Sequence, residues 1–247
     1  MWSTPPGTFN TDSYAVATAV VKGGEPTYSG PWNCEWSCDL DRFGPVPIPL
    51  GTKPDPAGDG HLAILDLARG REWDLYKASF DGTTWHAGCG NSILLSERAA
   101  PAGTCGANDA NLPAAAGIVQ PEEIAAGVIR HPLVFSVPAR GGRPPRCPST
   151  NGDNGFPLDS PIVNGMWFQL DPSLDVGSLP IPAWEKVIAK AMQDYGIFVR
   201  DGNTIDVYGE NTLNRDPNAW TRLGLAGDPQ FSSGFPWNRF RVLAPPC

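Results

Sequence analysis

His61-Leu62-Ala63-Ile64-Leu65-Asp66, then Leu67-Ala68-Arg69-Gly70, then Arg71-Glu72-Trp73-Asp74-Leu75-Tyr76-Lys77-Ala78-Ser79-Phe80 is the stretch on which the reading of this chain turns. Two runs rich in branched and aromatic residues flank a glycine-containing turn, which predicts a β-hairpin. Side chains alternate between the faces of a strand, so pairing Leu62 with Leu75 and Ile64 with Trp73 gathers the large apolar groups on one face. The opposite face then pairs His61 with Tyr76, Ala63 with Asp74 and Leu65 with Glu72. That second face carries an imidazole, a phenol and two carboxylates.

The surrounding sequence continues in the same key. Further strands are expected within Tyr14–Val21 and over Thr84–Ala87, Val134–Val137, Gly165–Leu170, Ile197–Val199, Ile205–Tyr208 and Phe240–Leu243. Two short helices interrupt them. One follows Pro121, with Glu122 and Glu123 in its first turn. The other follows Pro182, where Trp184, Val187, Ile188, Ala191, Met192 and Tyr195 form one apolar stripe and Gly196 can end it. Gly (28) and Pro (27) are plentiful and charged residues make up only 18% of the 247, a balance of many turns and few long helices. The expected fold is all-β: a jelly-roll-like β-sandwich with two short peripheral helices. It is read as one domain over 1–247, with the Pro/Gly-rich segment 1–58 packed on the sandwich, and no fixed-period repeat argues for a propeller or solenoid.

The net charge of -8 is spread along the chain without a basic block, so nucleic acid and anionic membranes are not expected partners, and no apolar run is long enough to cross a membrane. Six cysteines (34, 38, 89, 105, 147 and 247) lie mostly in turn-rich sequence, as where loops are tied outside the cytosol. Fifteen pairings are open; Cys34 with Cys38 and Cys89 with Cys105 each close a short loop. No second pair completes a zinc site. Met1 before Trp2 reads as a start placed ahead of a mature, already processed chain, and a secreted monomer is expected.

Chemistry is sought first on the polar hairpin face. Glu72 and Asp74, two residues apart on one strand, should stand about 6.5 to 7 Å apart. That separation is near both glycosidase geometries, about 5 to 5.5 Å for retention and 6.5 to 9.5 Å for inversion. Glu72 and Asp74 are therefore candidate catalytic carboxylates; His61 and His131 are taken with them as candidate catalytic residues that orient the sugar, and Asp59, Tyr76, Trp85 and Gln169 are the candidate substrate contacts. A lyase would need a base and a group to neutralise a uronate, for which Tyr76, His131, Gln169 and Arg130 are available. The plain alternatives are a solvated hairpin face and histidines bonded to loop backbone. Nine tryptophans could stack on sugar rings, Trp2, Trp32, Trp36, Trp85, Trp220 and Trp237 lying in loop-like surroundings, although filling a core is the commoner fate of an indole. No serine-hydrolase elbow or P-loop is present. No cofactor is expected; a structural calcium is conceivable at 54–60 (PDPAGDG) or 149–155 (STNGDNG), where turn chemistry explains the same residues.

The pattern of Asp59, His61, Asp66, Trp73, Asp74 and Tyr76, with the strings AAAGIVQPEEIAAGVIRHPLVFSVP (114–138), FQLDPSLDV (168–176) and KVIAKAMQDYGIFVRDG (186–202), resembles a group of secreted bacterial proteins over roughly residues 58–208. The resemblance implies a secreted β-sandwich and singles out Asp59, His61, Asp74 and His131. Asn108 stands where some relatives have Asp. The functional expectation is a secreted carbohydrate-active protein, foremost a glycoside hydrolase acting on an extracellular polysaccharide. A non-catalytic lectin-like protein or a polysaccharide lyase are the alternatives.

Overall fold

The structure is a computed structural model that describes residues 7–30, 32, 35, 44–138, 144–152, 161–202, 204–244 and 247. It is built mostly of strands in mixed sheets with a few short helices.

The hairpin forms where its periodicity places it. Strand Leu62–Asp66 pairs antiparallel with Arg71–Tyr76 in the register Leu62 to Leu75, Ala63 to Asp74, Ile64 to Trp73 and Leu65 to Glu72. Gly70, at φ 63°, supplies the left-handed residue that the turn requires. Around it a five-stranded sheet runs in the order Glu210–Asn211, Val16–Val20, Leu62–Asp66, Arg71–Tyr76, Cys89–Leu94. A six-stranded sheet runs Thr8–Asn10, Asp206–Tyr208, Leu133–Val137, Ile197–Gly202, Trp167–Leu170, Phe240–Leu243.

Four pairings are parallel: Thr8–Asn10 with Asp206–Tyr208, Leu133–Val137 with Ile197–Gly202, and Val16–Val20 with both Glu210–Asn211 and Leu62–Asp66. A jelly roll is assembled from antiparallel strands, so this topology departs from the expected one. Parallel neighbours need crossover connections, and local periodicity carries no sign of strand direction. The strand Cys89–Leu94 was not foreseen either, because Cys-Gly-Asn-Ser reads as turn; it is buried through Ile93 and completes the sheet beside Arg71–Tyr76. The run 71–80 is broken at Lys77, which takes φ 51°, and Ser79–Phe80 pairs instead with Trp85–His86.

Helices occupy Pro121–Ala126 and Ala183–Asp194 as expected, with a further short one at Ala219–Arg222. Gln120 and Glu123 form a reciprocal capping box on the first, and Gly127 at φ 71° ends it. The apolar stripe of the second, including Ile188 and Met192, packs on the six-stranded sheet with Phe9, Phe231, Phe235 and Trp237. The apolar hairpin face meets Val46, Ile48 and Trp85 in a second cluster. A third draws on both large sheets: Val16 and Ala63 cluster with Val134, Phe198 and Tyr208 and with residues from Ala107 to Ile118. Disulfides join Cys89 to Cys105 and Cys147 to Cys247. The expected Cys34–Cys38 bridge lies outside the described residues. Bridges of this kind persist in oxidising compartments, and among the described residues no helix is long and apolar enough to cross a membrane.

Candidate functional site

The polar hairpin face does not look into open solvent: Ala63, Glu72 and Asp74 along it are buried, and Ala63 packs with Val134, Phe198 and Tyr208 of the six-stranded sheet. Along it, His61, Ala63 and Leu65 alternate with Tyr76, Asp74 and Glu72 on the neighbouring strand. His61 and Leu65 are four residues apart, about 13 Å at the usual strand rise. One cleft opens at the His61 end and another at the Leu65/Glu72 end, while Asp74, fully buried, sits between them.

The sealed middle is a charge cluster. Arg200, on strand Ile197–Gly202, is completely buried, donates from Nη1 to the Ala114 carbonyl at 3.1 Å and lies 4.7 Å above the Tyr208 ring. The Ala114 N–H donates to Asp74 Oδ2 at 3.0 Å and the Ala115 N–H to Glu72 Oε1 at 2.8 Å. Burial, followed by the charge of Glu72 and a hydrogen bond to it, pushes the Asp74 carboxyl well above the usual range.

This arrangement corrects the expectation of two carboxylates spaced for a glycosidic bond. Their carboxyl groups meet, whereas glycosidases keep theirs about 5 Å or more apart, and Asp74 has no route to a substrate. Strand geometry set the spacing of the Cα atoms, but both side chains turn to the same pair of backbone amides. A raised carboxyl contributes stability at acid pH that is lost as pH rises through its folded pKa. Asp74→Asn supplies a permanent donor to Glu72 without charge. It is therefore expected to leave stability at about pH 4 nearly unchanged and to raise it at about pH 8, which urea unfolding at the two pH values checks.

The cleft at the His61 end has a volume of about 480 Å³ and gathers Asp59, Asp201, Asp206, Asp228, Tyr14 and Tyr208 around the imidazole. No lysine or arginine lines it among the described residues. Asp59 is half-buried and accepts from the Tyr76 hydroxyl at 3.3 Å; burial raises its carboxyl against that hydrogen bond. Burial and the neighbouring Asp59 charge push the Tyr76 phenol up to about 12, so it remains a donor. His61, 3% exposed, is pushed down to about 3 by burial and then by the Arg200 charge, and is a neutral ring. Its nitrogens lie near the Ala15 and Ala107 carbonyls, but Nδ1 makes no hydrogen bond of ordinary geometry. Asp206 Oδ2 accepts from the Ser136 hydroxyl at 3.0 Å and from the Thr204 hydroxyl.

Backbone strain collects at the same place. Tyr14 and Asp228, both lining the cleft, take φ 56° and 55°, which side-chain-bearing residues rarely adopt. Asp228 compensates by accepting the Thr11, Asp12 and Ser13 N–H groups at 2.8, 2.7 and 3.2 Å, which fixes the loop that carries Tyr14. Tyr14 is left 51% exposed at the rim.

Of the eight candidates from sequence, Asp59 and His61 line this cleft and Tyr76 donates to Asp59. Glu72 lines the other one and Asp74 neither. His131 is bound to Glu123 at 3.0 Å and to the Pro132 carbonyl beside helix Pro121–Ala126, and lines neither cleft. Trp85 is buried on the opposite hairpin face against Phe80. Gln169 is held by the Gln193 carbonyl and Arg241. Trp220 and Trp237 are buried in the main core, Trp32 packs on the hairpin cluster, and Trp2 and Trp36 lie outside the described residues.

At the first calcium loop, Asp55 accepts from Ala57 N–H and Asn211 Nδ2, as a turn residue does; 153–155 of the second lie outside the described residues. No group of three or more His, Cys, Asp or Glu is gathered as metal ligands among the described residues. The sequence reading missed Tyr14, Arg200, Asp201, Asp206 and Asp228. The one local signal was Arg200 in the apolar run Ile197–Gly202, a charge where a buried strand has no use for one unless it is paired. No family model, no curated protein and no solved structure matches the chain.

Proposed function

We propose that the protein is a secreted, saccharide-active protein, a glycoside hydrolase working in the acidic cleft with Asp59 as the proton donor. The observation that carries this reading is the environment of Asp59: a half-buried carboxyl raised by desolvation, steadied by Tyr76, in one open cleft with Asp201 and Asp206. Carboxyl groups in unlike surroundings facing a shared space suit acid and base roles. Aspartates, hydroxyls and an asparagine (Asn10) match the hydroxyls of a sugar, and Tyr14 offers a ring face at the rim.

The lining also orders the alternatives. Among the described residues the lining is acidic, with Asp59, Asp201, Asp206 and Asp228, so uncharged or amino sugars fit this cleft better than a uronate polymer that brings its own negative charge. The two disulfides accord with an extracellular site of action, and membership of the secreted bacterial group and a two-sheet sandwich description belong to the same proposal. The exposed, strained Tyr14 favours one second reading, a lectin that binds without turnover.

Reducing-sugar release from a panel of neutral and amino-sugar polysaccharides tests both. Asp59→Asn is expected to lower hydrolysis by about 10²-fold or more while binding persists. Wild-type binding that is lost in Tyr14→Ala, with no turnover on any substrate, would transfer the site to the lectin reading. Turnover unchanged in Asp59→Asn would remove Asp59 from the chemistry.

A further inference from the structure

At the other end of the hairpin face, the second cleft has a volume of about 580 Å³, within the range of about 300 to 1,000 Å³ typical of small-molecule sites. Its walls are apolar. Leu94 and Leu95 stand at its mouth, 38% and 45% exposed, and Pro132 and Val134 form one side. Trp167 and Phe198 are stacked, with ring centroids 5.4 Å apart and planes within 8°. Concave apolar surface of this kind is what an alkyl or aryl group covers with gain, because it releases water from both partners.

Glu72 is the carboxyl that lines this cleft deep inside; it is 2% exposed. One of its oxygens takes the Ala115 N–H, and Asp74 lies behind it, so a buried carboxyl closes the apolar walls. Arg200 acts on Asp74 from the opposite sheet and lines neither cleft. Arg98, at the lining's edge, donates to the Cys247 sulfur at 3.1 Å, and Glu97 stands beside it. Apolar walls that converge on a buried acid select for a tail and a donor head together: the tail supplies burial and the head meets a carboxyl that water reaches poorly.

We infer that this cleft is a binding site, separate from the acidic cleft, for a small amphiphile with an alkyl or aryl tail and a primary ammonium head. The tail lies against Leu94, Leu95 and the Trp167–Phe198 pair, and the head reaches Glu72. Charge complementarity at Glu72 picks this occupant over a fatty acid, whose carboxylate would face the acid pair, and over a second copy of the chain, which would bring no cation to that depth.

Calorimetric titration of the full chain with n-decylamine, n-decanol and n-decanoate tests this. The amine is expected to bind roughly tenfold more tightly than the alcohol, and decanoate more weakly than either. Glu72→Gln should bring the amine down to the alcohol. Ala116 is exposed and lines the cleft, so Ala116→Trp fills the space without disturbing the core, and should abolish binding of both. Amine binding that survives Ala116→Trp, or decanoate binding as well as the amine, overturns the inference. So does a dimer that Ala116→Trp dissociates, since the groove would then belong to a second copy.

Discussion

Acidification from pH 6.5 towards pH 3 is expected to remove about 4 to 5 kcal/mol of stability through His61 alone. The imidazole is buried beside Arg200 and stays neutral in the fold until about pH 3, whereas in the unfolded chain it takes a proton near 6.5. Between those values the unfolded state binds more protons, so the contribution is intact above 6.5 and drains away as pH falls. Asp55 acts in the opposite sense. Burial raises it to about 6, so its contribution is full below 3.8 and is lost as pH rises through 6. The wild-type profile sums both slopes, and a variant isolates the histidine. His61→Phe keeps an aromatic ring beside Tyr76, whose ring centroid is 5.8 Å away, and removes the proton site; the contacts with the Ala15 and Ala107 backbone are lost at every pH, so only the slope of the difference with pH reports the histidine's titration. Urea unfolding across the acid range should show the variant overtaking the wild type as pH falls. Parallel curves would mean that His61 is not held neutral.

Loss of the Cys147–Cys247 bridge is the second large effect. It joins residues 100 apart, and in the chain-entropy account a loop of that length is worth about 4 to 5 kcal/mol. Cys89–Cys105 spans 16 and is worth about 3. The longer bridge also anchors the chain just beyond Phe240–Leu243, which among the described residues is the outermost strand of its sheet and pairs with Trp167–Leu170. Cys147→Ala/Cys247→Ala is therefore expected to lower the urea midpoint more than Cys89→Ala/Cys105→Ala. The reverse order would show that the buried Cys89, packed inside its sheet, matters more than the length of loop released.

The two clefts change how the hairpin is understood. A face that carries His61, Tyr76, Asp74 and Glu72 invites a single catalytic constellation, yet the opposing sheet divides it. Arg200 and Tyr208 close over the centre, and the ends open in different directions with different linings. The acidic cleft draws Tyr14, Asp59, Asp201, Asp206 and Asp228 from segments far apart in the chain. No spacing motif links them, because strands brought together over such distances leave no trace in local periodicity. Asp59 and His61 were legible because they adjoin the hairpin; their partners were not.

Local chemistry alone determined the hairpin and its register, the helix from 183 to 194, and the presence of imidazole, phenol and acid on one strand face, since alternation and the 3.6-residue period act between near neighbours. Tertiary packing decided the rest. Whether Asp74 meets water or Glu72, whether Trp85 and Trp237 stack on a ligand or fill a core, and which strands run parallel all depend on what lies across the interior. That surface comes from residues scores of positions away, and burial is a property of the assembled layers.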